Sequence, residues 1–304
     1  MKMIVRQLSG LGNQMFQYAA GRFYAAQCNA ELSLITDPPH ESSSYGHPRP
    51  YLLPHFTITA QHRQLNRIDY LMLLTENRRL KPTAGPLLQK HILQKRLKVQ
   101  IVTETLEQRF RFQKELPISR KTQTIYLLGY WQVHNIAENI SADLRKEFMF
   151  RDVPTGKNLE LLRTIRSTSN SVSIHIRRGD YTLPQEGNIA LPMDYYDRAI
   201  SNLRASLSNP TFFVFSDDVM FARQHLPKHI SAIFVDHNDA FSAHEDLRLM
   251  SACRHHIIAN STFSWWGAWL NSSTDKMVLA PRNWRVANCP ASNNLFPQTW
   301  SLLD

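Results

Sequence analysis

The chain has 304 residues, 43% hydrophobic and 20% charged, which excludes a disordered or fibrous protein and leaves room for two packed domains. Cys28, Cys253 and Cys289 are too few and too scattered for a disulfide framework, and no CxxC pair points to zinc; packed, reduced thiols are expected. The net charge of +10 is uneven, because residues 61–121 hold 14 Lys+Arg against 5 Asp+Glu. Such a segment attracts phosphate groups or anionic lipid headgroups, or is only a solvated helical face. Base-stacking aromatics are sparse there (Tyr70, Phe110, Phe112), so nucleic acid is not an expected partner.

The apolar run in residues 1–7 is too short for a signal peptide, and no window is long enough to span a bilayer, so a cytoplasmic chain is expected. Residues 4–8 read as a strand. A loop with Gly10 and Gly12 follows, then a helix from about Gln14 with Met15, Tyr18, Ala19, Phe23 and Ala26 at helical spacing. This opening tests for a dinucleotide fingerprint, and it fails because Met15 stands where the third glycine belongs. Two glycines still allow close backbone approach to a ligand, and Asn13 offers an amide at the helix start; a tight turn with Asn13 as N-cap is the alternative. Residues 37–54, rich in proline and serine, read as a loop. Residues 61–97 are basic and helical in parts, 125–132 form a strand and turn presenting Tyr130 and Trp131, and 135–150 form a helix. The break at 152–156 places a domain boundary between 1–153 and 154–304.

The second half is built around residues 171–181. Read with a period of two, Val172, Ile174 and Ile176 face one side, and Ser173, His175 and Arg177 the other. A guanidinium on a buried strand face must be paired or meet a ligand, and Gly179 ends the strand so that Arg177, Arg178 and Asp180 lie at its carboxyl end. Residues 211–215 repeat the design and end in Ser216-Asp217-Asp218. A helix over 245–253 and a strand over 256–259 then lead into Ser261-Thr262-Phe263-Ser264 and a tryptophan-rich helix. Ser261 or Thr262 caps that helix, whose positive end suits phosphate, while Trp266 and Trp269 are expected in the core. Alternating strand and helix over 172–280 predicts a parallel, doubly wound sheet.

Two arginines after one strand and a helix N-terminus after another make a site for a diphosphate. A carboxylate such as Asp246 could read the donor edge of a guanine. The chain has no P-loop and no Asp-x-Asp, and Asp217-Asp218 are adjacent and point apart. The loop acids and histidines Asp236, His237, Asp239, His244, Glu245 and Asp246 lack regular ligand spacing, so no metal site is expected.

His175-Ile176-Arg177-Arg178-Gly179-Asp180-Tyr181 resembles the HxRRGDY motif of the α-1,2-fucosyltransferases, glycosyltransferase family 11. Residues 212–218 and 246–269 are similar to that family's second and third motifs, and 10–19 to its amino-terminal signature, whereas 38–124 match nothing and leave the acceptor unread. The resemblance implies an α/β fold of GT-B type, two Rossmann-like domains facing a cleft, with an acceptor-side domain over 1–153 and a GDP-fucose-binding domain over 154–304. It implies inverting, metal-independent transfer from GDP-β-L-fucose to the 2-hydroxyl of a terminal β-galactose, with no cofactor. By the same resemblance Arg177 grips the diphosphate, and Arg178 holds the loop or shares the contact. Ser261, Thr262 and Phe263 are the remaining donor contacts, Asp246 reads the base, and Asn13 with Gly12 supplies the amino-terminal loop contact. His175 and Asp180 are candidates for the catalytic base or for orienting Arg177. A basic chain without an anchor suits a lipid-linked glycan acceptor, with peripheral contact at the anionic inner face of the cell membrane. The rival readings are a fucosyltransferase of other linkage or acceptor, a non-catalytic binder of phosphate or membrane surfaces, and an NAD enzyme, against which Met15 argues.

Overall fold

Two parallel sheets organise the chain, each described in the computed structural model. The structure describes every residue except 38–42, 45–46, 74–83, 106–107, 109, 183–188 and 285–293, and no side chains at 43–44, 47–48 and 84–86. Much of the loop expected over 37–54, and Cys289, therefore lie outside the described residues. The chain divides into two compact units: Met1–Leu53 with Ile58–Glu147, and Pro54–Thr57 with Phe148–Asp304.

The first unit contains β1 (Lys2–Gln7), α1 (Leu11–Gln27), β2 (Glu31–Thr36), the short β3 (Ser43–Ser44) and β4 (His47–Pro48), and β5 (Gln61–Gln64). It continues with α2 (Arg67–Met72), α3 (Ala84–Arg96), β6 (Val99–Thr103), β7 (Thr124–Leu128), α4 (His134–Asn139) and α5 (Ser141–Glu147). Its main sheet runs β5-β2-β1-β7-β6, all parallel. Helix α1 lies so close on β1 and β2 that a Cβ at Gly21 would sit 2.6 Å from Val5 Cγ2 and 2.9 Å from Leu32 Cδ1. Met15 is fully buried, which accounts for the failed dinucleotide fingerprint. The helix begins at Leu11, before the expected Gln14, with Gly10 at the N-cap, so the reading of Asn13 as cap is corrected: Asn13 lies inside the first turn. The single helix expected over 135–150 is two helices, broken where Ile140 leaves helical backbone (φ −122, ψ 32).

The second unit contains α6 (Gly156–Ser167), β8 (Ser171–Ile176), α7 (Met193–Ser206), β9 (Thr211–Ser216), α8 (Val219–His225), β10 (Ser231–Val235) and α9 (Ala243–Ala252). It ends with β11 (His255–Ile257), α10 (Thr262–Leu270), β12 (Val278–Pro281) and β13 (Ser301–Leu303). All strands are parallel, in the order β10-β9-β8-β11-β12-β13. The first strand of the unit, β8, lies at the centre, and the chain winds outward from it in both directions. That is the doubly wound order, and its reversal point lies between β8 and β11.

Each face of this sheet has its own core. Val172, Ile174 and Ile176 of β8 join Tyr195, Ala199 and Leu203 of α7, while Phe213 and Phe215 of β9 join Leu162 of α6 and Leu249 and Met250 of α9. Helix α10 packs on α9 at Gly267, where a Cβ would meet Met250 Cβ at 3.0 Å. Trp265, Trp266 and Trp269 are all buried. The Trp265 indole N–H donates to the Leu295 carbonyl at 2.8 Å, as a buried indole requires. Cys28 and Cys253 are free thiols, both raised in pKa by burial. Among the described residues no helix is long and apolar enough to cross a membrane.

Candidate active site

The polar face of β8 resolves into two layers. Deepest, the Ser173 hydroxyl meets His256 Nδ1 at 2.8 Å, and Asn271 Nδ2 donates to His256 Nε2 at 2.8 Å. With Nε2 accepting, the proton sits on Nδ1 and is donated to Ser173. Burial, helped by Lys276, drives the His256 pKa well down, so this bridge between neighbouring strands is neutral. It has a structural role and lies below the site.

Above it, His175 is buried beside the Phe263 ring at 5.7 Å, and its Nδ1 has no hydrogen-bond partner among the described residues. Burial, with the Arg177 charge adding, pushes its pKa down to about 3. At the strand's carboxyl end the Arg177 guanidinium is clamped by two acids. Nη1 lies 2.9 Å from Asp217 Oδ2 and Nη2 lies 2.5 Å from Asp180 Oδ1, with the Tyr181 ring 5.5 Å from the guanidinium carbon. Burial opposes the charge on Arg177, but Asp217 and Asp180 outweigh it and raise its pKa.

Asp217 also accepts the Arg178 backbone N–H at 2.8 Å, so one carboxylate at the end of β9 fixes the loop after β8. The Arg178 side chain turns the other way. It stacks on Phe221 at 3.4 Å and lies 3.4 Å from Asp218, whose other oxygen accepts from Phe221 N and caps α8. The two adjacent arginines are thus held by different elements, one against the 3-10 turn Gly179–Thr182, the other against α8.

Across the reversal point, β11 runs out into Asn260. This side chain is buried; its Nδ2 donates to the carbonyls of Ile189 (2.9 Å) and Trp284 (3.3 Å), and the Asn260 backbone carbonyl accepts from Tyr181 OH at 3.1 Å. Its Oδ1 has no partner among the described residues. Ser261 follows as the N-cap of α10, accepting from Phe263 N at 3.4 Å, and Thr262 and Phe263 form the first turn, both half-buried. The fold therefore brings His175, Arg177 and Asp180 to the same sheet edge as Ser261, Thr262 and Phe263. A guanidinium, a helix N-terminus and two unsatisfied buried polar atoms converge where a doubly wound sheet binds its ligand.

Asp246 lies elsewhere in this unit, in the first turn of α9. Asn238 Nδ2 donates to its carboxylate at 2.7 Å and is itself bonded to Asn158, which meets His237. Burial pushes Asp246 up to about 7; Asn238 opposes this, and Glu245 and Asp239 add to it. The other loop acids and histidines have partners of their own: Asp236 with Arg223, Asp239 with Ser242, Glu245 with Arg248 and His244, and His244 also stacked on His55 at 3.6 Å.

Gly12 and Asn13 belong to the first unit, where β1 and β7 form a second reversal point. Asn13 Nδ2 donates to Ser9 Oγ at 3.0 Å, and its Oδ1 accepts from Gln132 Nε2 at 2.9 Å. Two further residues tie this edge together. Buried Gln17 accepts from Leu8 N at 2.8 Å and donates to the Gly129 carbonyl at 3.1 Å. Glu104, after β6, accepts the N–H groups of Tyr130 (2.8 Å) and Trp131 (3.0 Å). It holds a loop in which Gly129 (φ 144) and Trp131 (φ 53) have left-handed backbone. Trp131 packs edge-on against Tyr24 in the core, whereas Tyr130 stays half-buried. The residues that sequence reasoning missed, Asp217, Asn260, Gln17 and Glu104, all act on backbone or partners far along the chain. Gln17, Asp217 and Asn260 fall within the motif-like runs, and Glu104 is a polar side chain just past a strand end; those were the signals for them.

Two α/β units, each built on a parallel sheet with a reversal of strand order, give the chain a GT-B fold. The solved NodZ α-1,6-fucosyltransferase shares the fold, with a TM-score of 0.52 and 15% identity over 88% of this chain and 92% of that one. Residues 55–304 match the model of Glycosyl transferase family 11, and the chain belongs to that family. It is 30% identical to the Escherichia coli O-antigen biosynthesis glycosyltransferase WbnK (92% of this chain, 93% of the relative). It is 31% identical to an Escherichia coli alpha-1,2-colitosyltransferase (98% and 97%). To the mouse galactoside alpha-(1,2)-fucosyltransferase 2 it is 25% identical (94% and 72%).

Proposed function

We propose that the protein transfers L-fucose from GDP-β-L-fucose, with inversion, to the 2-hydroxyl of a terminal β-galactose on a glycan of the surface-polysaccharide type. The observation that carries this reading is the clamped Arg177 at the carboxyl end of β8, beside the N-terminus of α10 at the neighbouring strand. Cleaving the sugar–phosphate bond builds negative charge on the diphosphate. A guanidinium held on both sides by carboxylates, and N–H groups at a helix start, are already oriented toward such charge and need not reorganise. Metal-independent transfer follows if these groups neutralise the leaving group.

In this reading Arg177 is the catalytic residue that touches the diphosphate. Asp180 and Asp217 position it, and Arg178, bound to Asp218 and Phe221, anchors the loop. His175, neutral and enclosed, uses its free Nδ1 toward the donor and is a weak candidate for the base, because a group with so low a pKa holds a proton poorly. Asp246 reads the guanine edge. A second reading keeps the linkage and changes the sugar: the 31% identity to an alpha-1,2-colitosyltransferase favours GDP-colitose, a 3-deoxy analogue of GDP-fucose. Competing the two donors for one β-galactoside in the presence of EDTA separates them. Preference for GDP-fucose supports the first reading, preference for GDP-colitose the second, and turnover of neither overturns both.

A further inference from the structure

We infer that the outward face of α3 is a docking surface for an anionic lipid bilayer. Thirteen large apolar side chains are exposed among the described residues, and six of them lie between Ile68 and Leu97. Leu88 (61% exposed) and Ile92 (55%) are four residues apart and so share one face of α3, with Lys95 and Arg96 on the same side. The opposite side faces inward: Lys90 is buried, and Leu93 packs on the cluster of Ile4, Ile35, Met72 and Tyr126. Neighbouring α2 also exposes Ile68 (48%) and Tyr70 (49%), two residues apart and so on different faces of that short helix.

Among the described residues of α2 and α3 the exposed charge has one sign. Arg67, Lys95, Arg96 and Lys98 are exposed, and α3 contains no acid. The acid of α2, Asp69, is buried and already bonded to Arg63 and to Tyr126 OH (2.7 Å). Aliphatic side chains with a cationic border match the boundary between lipid headgroups and acyl chains: the apolar tips enter, and the Lys and Arg stems reach up to phosphates. A second copy of the chain fits worse, because a two-fold contact would set one cationic face against another. The inference rests on this surface alone and not on the donor or acceptor assigned above.

Co-sedimentation of the full chain with phosphatidylcholine vesicles and with mixed phosphatidylcholine/phosphatidylglycerol vesicles tests it. Binding to the mixed vesicles, weakened by salt, is expected, with little binding to phosphatidylcholine alone. Lys95→Gln/Arg96→Gln should lower the partition about thirtyfold, at the usual contribution of a basic residue near an anionic surface. Leu88→Ser/Ile92→Ser should lower it too, at both low and high salt. All four side chains lie outside the catalytic edge, so both variants should keep the wild-type melting temperature and transfer to a soluble acceptor. No partition onto anionic vesicles, or partition that both variants retain, overturns the inference. So does a concentration-dependent dimer that the apolar variant abolishes, because it assigns the face to a second copy.

Discussion

Replacing Arg177 by alanine is the sharpest perturbation of the proposed donor site. The wild-type guanidinium sits 2.9 Å from Asp217 and 2.5 Å from Asp180 and is only 19% exposed. A charge about 4 Å from a phosphate interacts by about 4 kcal/mol at the effective dielectric of a partly enclosed protein site. Leaving-group charge grows in the transition state, so a loss of about 3–5 kcal/mol, ~10²–10⁴-fold in kcat/KM, is expected. The truncation also leaves Asp180 and Asp217 facing the diphosphate uncompensated, which places the effect at the upper end. Arg177→Lys keeps one point charge and loses the two-sided clamp, so it should fall between wild type and alanine. Initial rates of GDP release with donor and acceptor varied separately, together with melting temperature, measure this. If Arg177→Ala stays within about tenfold of wild type while Arg178→Ala abolishes turnover, the roles given to the two arginines are reversed and the reasoning fails.

Three further outcomes follow from the geometry. Asp246, pushed up to about 7 by burial, ionises as pH rises through neutrality, so GDP should bind more tightly at pH 8 than at pH 6. Asp246→Asn should remove that dependence and Asn238→Ala should move it to higher pH; a flat profile for wild-type GDP affinity by calorimetry would contradict the base-reading role. His175 and His256 are held neutral with lowered pKa values, so below about pH 6.5 the unfolded chain takes up protons that the folded chain refuses. Each then costs about 1.4 kcal/mol of stability per pH unit of acidification down to its folded pKa. Melting temperature should fall between pH 6.5 and 4.5, and a His256→Gln variant with an unchanged slope would refute the account. Glu104→Ala strips the acceptor from the Tyr130 and Trp131 N–H groups, costing about 1–3 kcal/mol of stability. If that loop serves the acceptor, the acceptor KM should rise with the donor KM unchanged; an effect on the donor KM alone would count against it.

Local pattern carried the sequence reading as far as single strands. The alternation Val172/Ile174/Ile176 against Ser173/His175 is present in β8, and Ser261 does cap α10. What the polar face does was not legible, because its partners come from elsewhere. His256 lies opposite Ser173 only through the β8–β11 register, and Asn271 reaches back from beyond α10. The same holds for Gln17, which bonds a carbonyl 112 residues away, and for Asp217, read as part of the second motif and as no metal pair with Asp218 but without its bond to Arg177. The early start of α1 was missed for a different reason: Gly10 caps with its extended backbone and no side-chain bond, which leaves no capping signal. The break at Ile140 is a backbone departure inside a helix-compatible sequence, invisible to periodicity.

The most direct test is the linkage formed when the wild-type protein is given GDP-fucose and a β-galactoside with EDTA present. The account predicts a fucose joined α-1,2 to galactose, seen as an anomeric proton with α-coupling and a downfield shift at galactose C2. A product with fucose at another hydroxyl, retention of the β-configuration, or transfer that stops when metal is chelated would contradict it.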